Sequence, residues 1–245
     1  MERAYIVLAA GLGTRMYKDF PDTPKTLLNI GDKPILQHIY NAIEGLGDVY
    51  AVVGGKADKV EGYIEGHNLP IYPIFNPFYE ASNNMVSLWL ALKDLKNKYH
   101  EITVINGDTW FTRKTAERLH GSKGDMVLCV SKKAVCPRED MKVYAEHNII
   151  TNLGKELDTD KAVGEFIGVF RTLCPNELHD SIDRTLHNRW NLNLWMESGI
   201  LGLMGDIDIR MLDIEDDPYI EVDFPEDLEK ANELQRRYCS ELLPE

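Results

Sequence analysis

Residues 4–8, Ala-Tyr-Ile-Val-Leu, form an apolar run without polar alternation, which reads as a strand buried on both faces. Such a strand must lie inside a sheet covered by helices above and below. Further apolar runs at 49–53, 71–75, 101–106, 126–131, 164–170 and 207–214 repeat the pattern. Helical periodicities separate the early runs: 34–45, where Ile35, Ile39 and Ile43 share one stripe, then 56–66 and 84–95. This alternation predicts an α/β three-layer sandwich around a mostly parallel sheet. A hairpin pattern around 142–151 makes the sheet mixed. Pro225, in a first-turn position, opens a closing amphipathic helix over 226–242. No repeat, low-complexity stretch or linker interrupts the chain, so one domain over 1–245 is expected.

The first strand ends in Ala9-Ala10-Gly11-Leu12-Gly13-Thr14-Arg15-Met16, with Pro24-Lys25 a short way on. Two glycines let consecutive N–H groups turn toward one point, which suits a polyphosphate, although they equally suit a tight βα turn. Arg15 and Lys25 add positive charge to the same loop. A Walker loop is excluded, because no Lys-Ser/Thr pair follows a glycine at that spacing. A dinucleotide loop is excluded too, since Met16 stands where a third Gly or Ala would be needed.

Composition narrows the partners. With 27 Lys and Arg against 40 Asp and Glu, the formal net charge is -13, and no basic run offers a nucleic-acid or anionic-membrane surface. An acidic protein that binds a triphosphate must concentrate its cations at the site and recruit a divalent metal. Cys129, Cys136, Cys174 and Cys239 lack metal-ligand spacing and read as reduced, mostly buried thiols. A strand beginning within four residues of Met1 leaves no room for a signal peptide, and no run approaches membrane-span length, so a cytoplasmic location is expected. The seven histidines form no pattern with Ser or Cys that would indicate a hydrolytic triad.

Two acidic segments supply the complementary chemistry. The run 102–105 ends in Asn106-Gly107-Asp108, which puts an aspartate at the carboxyl end of a central strand, where open α/β sheets bind ligands. Tyr219-Ile220-Glu221-Val222-Asp223 ends a second β-like run, with Glu221 and Asp223 on one side. Each could be only a turn. Together with the first loop, L-A-A-G-x-G-T-R-M…P-K, G-D and E-V-D-F-P-E-D-L resemble the signature of the nucleotidyltransferases that make NDP-sugars and CDP-alcohols. The resemblance spans nearly the whole chain and implies a Rossmann-like fold of the nucleotide-diphospho-sugar transferase type. It implies that Leu8, Ala10, Gly11, Gly13, Thr14 and Arg15 bind the nucleotide. Lys25 would meet the α-phosphate, and Asp108 and Asp223 would bind Mg²⁺ with Glu221 as helper. Lys25, Arg15 and Asp108 become the candidate catalytic residues.

A second segment, N-P-x-Y…N-N-x-x-S-L over 76–88, resembles the phosphocholine and aminoalkylphosphonate cytidylyltransferase branch of that superfamily. Asn83 or Asn84 suits a helix N-cap, and their amides could also read a pyrimidine edge, which points to CTP. On the acceptor side, Lys155 and Lys142 are candidate phosphate contacts, with solvated lysines the plain alternative. Tyr79, Trp110 and Trp195, beside Glu165 and Glu197, would suit an ammonium by cation–π attraction. Ordinary core packing is the simpler reading of Trp190 and Trp195. The expected reaction transfers CMP from CTP to a small phosphate or phosphonate monoester such as phosphocholine or 2-aminoethylphosphonate, releasing pyrophosphate. A sugar-1-phosphate acceptor with UTP, dTTP or CTP, and a non-catalytic nucleotide sensor, are the rival readings. Homodimers are common among such relatives, an implication of the resemblance alone.

Overall fold

A computed structural model of the chain describes residues 2–16, 18–132 and 136–242. The first half alternates strands and helices: β1 (Arg3–Ala9), the two-residue strands β2 (Asn29–Ile30) and β3 (Lys33–Pro34), α1 (Ile35–Ile43), β4 (Asp48–Val53), α2 (Ala57–Gly66), β5 (Ile71–Phe75), α3 (Asn84–Leu95) and β6 (Glu101–Asn106). Then come β7 (Thr109–Phe111), α4 (Arg113–Gly121), β8 (Met126–Ser131), β9 (Lys142–Glu146), β10 (Ile149–Gly154) and β11 (Gly164–Thr172). The chain finishes with α5 (Pro175–Leu186), α6 (Glu197–Leu201), β12 (Ile209–Asp213), β13 (Tyr219–Glu221) and α7 (Pro225–Leu242).

Nine strands form one sheet in the order β5-β4-β1-β6-β11-β8-β12-β10-β9. Strands β5, β4, β1 and β6 run parallel, β11 is antiparallel to both β6 and β8, and β12 is parallel to β8. The hairpin read near 142–151 is β9–β10, turned by His147 and Asn148 at φ 50° and 67°. Those values suit a two-residue primed turn.

Strand β1 shows why the sheet needs both helical layers. Tyr5 and Val7 point into a core built with Ile35, Leu36 and Ile39 of α1, Val60 and Ile64 of α2, Leu119 of α4 and Ala231 of α7. Ala4, Ile6 and Leu8 point to the opposite core, with Leu88, Leu92 and Leu95 of α3 and Leu178 and Ile182 of α5. Each fully buried aliphatic side chain contributes about 1.5–3 kcal/mol, and the two-sided burial of β1 anchors the loop that follows it. The small strands β7 and β13 pair with each other outside the main sheet. They bring residues 108 and 223 to the same end as the β1 loop.

Gly107 is the tightest point of that end. Its N–H donates to the Leu8 carbonyl at 3.0 Å, and a Cβ there would meet the same oxygen at 2.7 Å. Gly11, by contrast, has nothing within 4 Å of a built Cβ. Packing therefore demands glycine at 107 and not at 11. Gly107→Ala should destabilise the protein by about 1–3 kcal/mol, and Gly11→Ala by less than about 0.5 kcal/mol. Urea denaturation midpoints of the two variants check this contrast; equal losses would refute it.

Candidate active site

The carboxyl ends of β1 and β6 open onto a cleft of about 910 Å³. Its centre is an ammonium shared by two acids. Lys25 Nζ donates at 2.6 Å to Asp108 Oδ2 and at 2.6 Å to Asp223 Oδ1. Arg15 Nη1 lies 3.0 Å from the second oxygen of Asp223, with its guanidinium over the Phe224 ring. Lys25 follows Pro24 in a single 3₁₀ turn, which aims its side chain back under the β1 loop. Gly13, at φ +66°, passes so close that a Cβ there would lie 3.3 Å from Lys25 Cβ.

The loop itself is open toward the cleft. The N–H groups of Gly11, Leu12 and Gly13 donate to no protein acceptor among the described residues. Three consecutive unpaired amides beside Arg15 leave donors available to an anion in the cleft. Asp223 is set from behind: Asp227 Oδ2 accepts from the backbone N–H groups of Asp223 and Phe224 at 3.2 and 3.0 Å.

Charges here are mutually tuned. Burial alone would lower the Lys25 ammonium, but Asp108 and Asp223 outweigh it and hold its pKa above the ordinary lysine value. Burial would raise Asp223, but Lys25, Arg15 and Lys155 hold it below the ordinary aspartate value. Glu221 goes the other way. Desolvation, reinforced by Asp108, Glu165 and Asp223, pushes its carboxyl well above the usual range despite Lys25.

No group of three or more His, Cys, Asp or Glu forms a metal cluster among the described residues. The two carboxylates do converge on one cation, at present the lysine's own. A pair of this kind fits an ion that takes one or two carboxylates and completes its shell with phosphate and water, as Mg²⁺ does.

A small side recess of about 170 Å³ is lined by Leu8, Ala10, Asn76, Ser87 and the Asn83–Asn84 turn. Asn83 caps α3, its Oδ1 accepting from the Asn84 N–H at 2.9 Å. Asn84 Oδ1 accepts from Met196 N–H at 2.9 Å, and Asn83 N–H donates to the Leu192 carbonyl at 2.9 Å. These amides are thus partly spent on joining α3 to residues 192–196 rather than left free to read a base.

Of the residues read from the sequence, Leu8, Gly11, Gly13, Thr14, Arg15, Lys25, Tyr79, Asn83, Asn84, Asp108, Lys155, Glu165, Trp195, Glu221 and Asp223 line the main cleft, and Ala10 lines the recess. Three expectations are corrected. Trp110 does not wall the acceptor pocket: it is buried in the core, edge-on to His38 and Tyr238, because β7 turns it inward. Lys142 does not reach the cleft either. It is 1% exposed, and its ammonium donates to the carbonyls of Lys155 (2.6 Å) and Arg138 (3.1 Å), so it positions backbone. The core-packing reading of Trp190 and Trp195 also fails. They are 75% and 42% exposed, on or beside a 3₁₀ segment that lies off the sheet.

Lys155 Nζ sits 5.2 Å from the Trp195 ring centroid. Asn106, Tyr219 and Phe224, which belong to the two acidic segments but carry no role in their sequence reading, also line the cleft. The acid at 227, spaced like a capping residue after 224, was a usable signal for the turn that holds Asp223.

The α/β fold is of the nucleotide-diphospho-sugar transferase type. The chain belongs to the MobA-like NTP transferase domain family, which matches residues 5–181. It is similar to the choline-phosphate cytidylyltransferase of Streptococcus pneumoniae, 24% identical over 94% of this chain and 96% of that protein. It is also similar to the CTP:phosphoglutamine cytidylyltransferase of Campylobacter jejuni, 26% identical over 91% of this chain and 97% of that protein. Among solved structures, the inositol-1-phosphate CTP transferase of T. maritima shares the fold at a TM-score of 0.79, 21% identity and 96% coverage of each chain.

Glu197 is a further acid of the cleft wall. Burial pushes its carboxyl from the ordinary 4.5 up to about 7, against weaker opposing pulls from its own backbone N–H and Lys155. The folded protein therefore holds this proton more tightly than the unfolded chain does. The associated stability is fully present below the unfolded value and is lost as pH rises through the folded one. Glu197→Gln should remove that slope, so the variant gains up to about 3 kcal/mol on the wild type between roughly pH 4.5 and 8. Urea denaturation across that range checks it; parallel curves would refute the assignment.

Proposed function

We propose that this protein is a Mg²⁺-dependent cytidylyltransferase that moves CMP from CTP to a small phosphate or phosphonate monoester and releases pyrophosphate. The observation that carries the reading is the Lys25 ammonium held between Asp108 and Asp223 beneath a glycine loop with unpaired amides. The two cytidylyltransferase relatives, each matched over nearly its full length, support CTP as the donor.

In this reading the amides of Gly11, Leu12 and Gly13 and the Arg15 guanidinium take the β- and γ-phosphates. Lys25 exchanges its carboxylate partners for the α-phosphate. The base enters the recess at Leu8 and Ala10 beside the Asn83–Asn84 turn. Lys155, whose charge is felt by both Asp223 and Glu197, draws the acceptor phosphate toward the same centre. Asp108 and Asp223 would hold Mg²⁺, which contributes neutralisation of triphosphate charge. The attacking oxygen belongs to an acceptor that is already ionised, so no strong general base is required. Catalysis consists of alignment and of charge placed where the departing pyrophosphate develops.

The absence of packing around Gly11 agrees with close approach of a ligand to the loop. Gly11→Ala should weaken CTP binding at least about tenfold while its denaturation midpoint stays near that of the wild type. Lys25→Ala should lower kcat by roughly 10²–10³-fold with the fold retained by circular dichroism. A coupled pyrophosphate assay with CTP, UTP, dTTP and GTP across phosphocholine, 2-aminoethylphosphonate and hexose 1-phosphates tests the reading. Activity should need CTP and a small monoester, vanish with EDTA and return with Mg²⁺. Near-normal turnover of Lys25→Ala would reject the role of that lysine.

A further inference from the structure

The acceptor side of the cleft contains one group that neither the fold nor the proposed transfer step uses. Glu197, the first residue of α6, is 6% exposed, and its Oε2 has no hydrogen-bond partner among the described residues. The helix start that carries it is held firmly. Gly199 packs against Ile182, its carbonyl accepts from Ser181 Oγ at 2.8 Å, and the neighbouring Met196 is fully buried and tied to Asn84. A buried acceptor left without a donor is costly, and such groups in native proteins are usually completed by a ligand or water.

The chemistry of the surroundings narrows what completes it. Glu165, 7% exposed, also lines this cleft and already accepts from the Tyr219 hydroxyl at 3.2 Å. With Glu165, Glu221 and Glu197 all on its wall, the cleft favours a cation over a neutral group. The aromatic platform that a quaternary ammonium needs is in part taken by the chain itself: Lys155 lies over Trp195, as Arg189 lies over Trp190 and Arg15 over Phe224. A trimethylammonium also has no N–H to give to Glu197 Oε2. A primary ammonium satisfies both conditions: its charge favours the ionised carboxylate over the protonated form that burial alone keeps, and its N–H groups donate the missing hydrogen bond.

Building on the cytidylyltransferase reading, we propose that Glu197 determines acceptor specificity by accepting a hydrogen bond from a primary ammonium on the acceptor. Amino-alkyl phosphates and phosphonates are then preferred over their N-trimethyl counterparts. Glu197 acts in recognition and takes no part in the transfer step.

The test compares calorimetric binding of phosphoethanolamine and phosphocholine, which differ only in N-methylation, to the wild type and to Glu197→Gln. Phosphoethanolamine should bind the wild type at least about tenfold more tightly. In Glu197→Gln that preference should shrink to within about threefold through weaker phosphoethanolamine binding, with phosphocholine affinity and CTP affinity unchanged. Unchanged CTP affinity shows that the variant is folded. Equal or tighter phosphocholine binding to the wild type, binding of neither compound, or equal loss of both in the variant would overturn the proposal. Turnover is scored separately. Selective binding without pyrophosphate release from CTP would defeat the cytidylyltransferase reading while leaving the role of Glu197 standing.

Discussion

A single ammonium joins three segments that are remote in the chain. Lys25 reaches Asp108 across 83 positions and Asp223 across 198. The two acids lie on separate extensions, after β6 and after β13, and the cation comes from the turn beneath the β1 loop. Charges brought this close in a partly desolvated cleft repel or attract strongly, and only a mixed-sign arrangement is tolerable. The lysine therefore organises the cleft from within. Much of the surrounding architecture can be understood as what aims these three side chains at one point: two-sided burial of β1, the glycine contact at 107, the β7–β13 pair and the Asp227 cap.

The fold was largely legible because its cues are local. Unbroken apolar runs marked the central strands, and stripes such as Ile35, Ile39 and Ile43 marked the helix faces. Helix α3 begins and ends where the pattern placed it, at Asn84 and Leu95. Strands β7 and β13 were not read as a pair. Each is three residues long, and their pairing depends on contacts more than a hundred positions apart. The antiparallel placement of β11 between β6 and β8 likewise belongs to topology, which a run of apolar residues does not encode.

The site was legible where the chemistry demands particular residue types in sequence, as in the β1 loop and the Gly107-Asp108 pair. It was less legible where burial decides the role. Trp110 and Trp195 look alike as letters, yet β7 folds one into the core while the off-sheet segment leaves the other on the cleft wall. Lys142 and Lys155 differ in the same way: one ammonium is consumed by backbone carbonyls, and the other rests over an indole. Glu197 carried no motif that distinguished it from any other helix-opening acid. Its interest comes from the loss of water around it.

The amide bridges from Asn83 and Asn84 to residues 192 and 196 have a consequence for how such a protein can diversify. The wall beyond the bridges can change its letters while the glycine loop that follows β1 stays as it is. Asn84 is less free, since its Oδ1 holds the Met196 N–H, whereas the bridge from residue 83 to Leu192 runs through backbone and Asn83 spends its own Oδ1 on the cap of α3. Related chains are then expected to vary α6 and the turn before it more freely than Asn84.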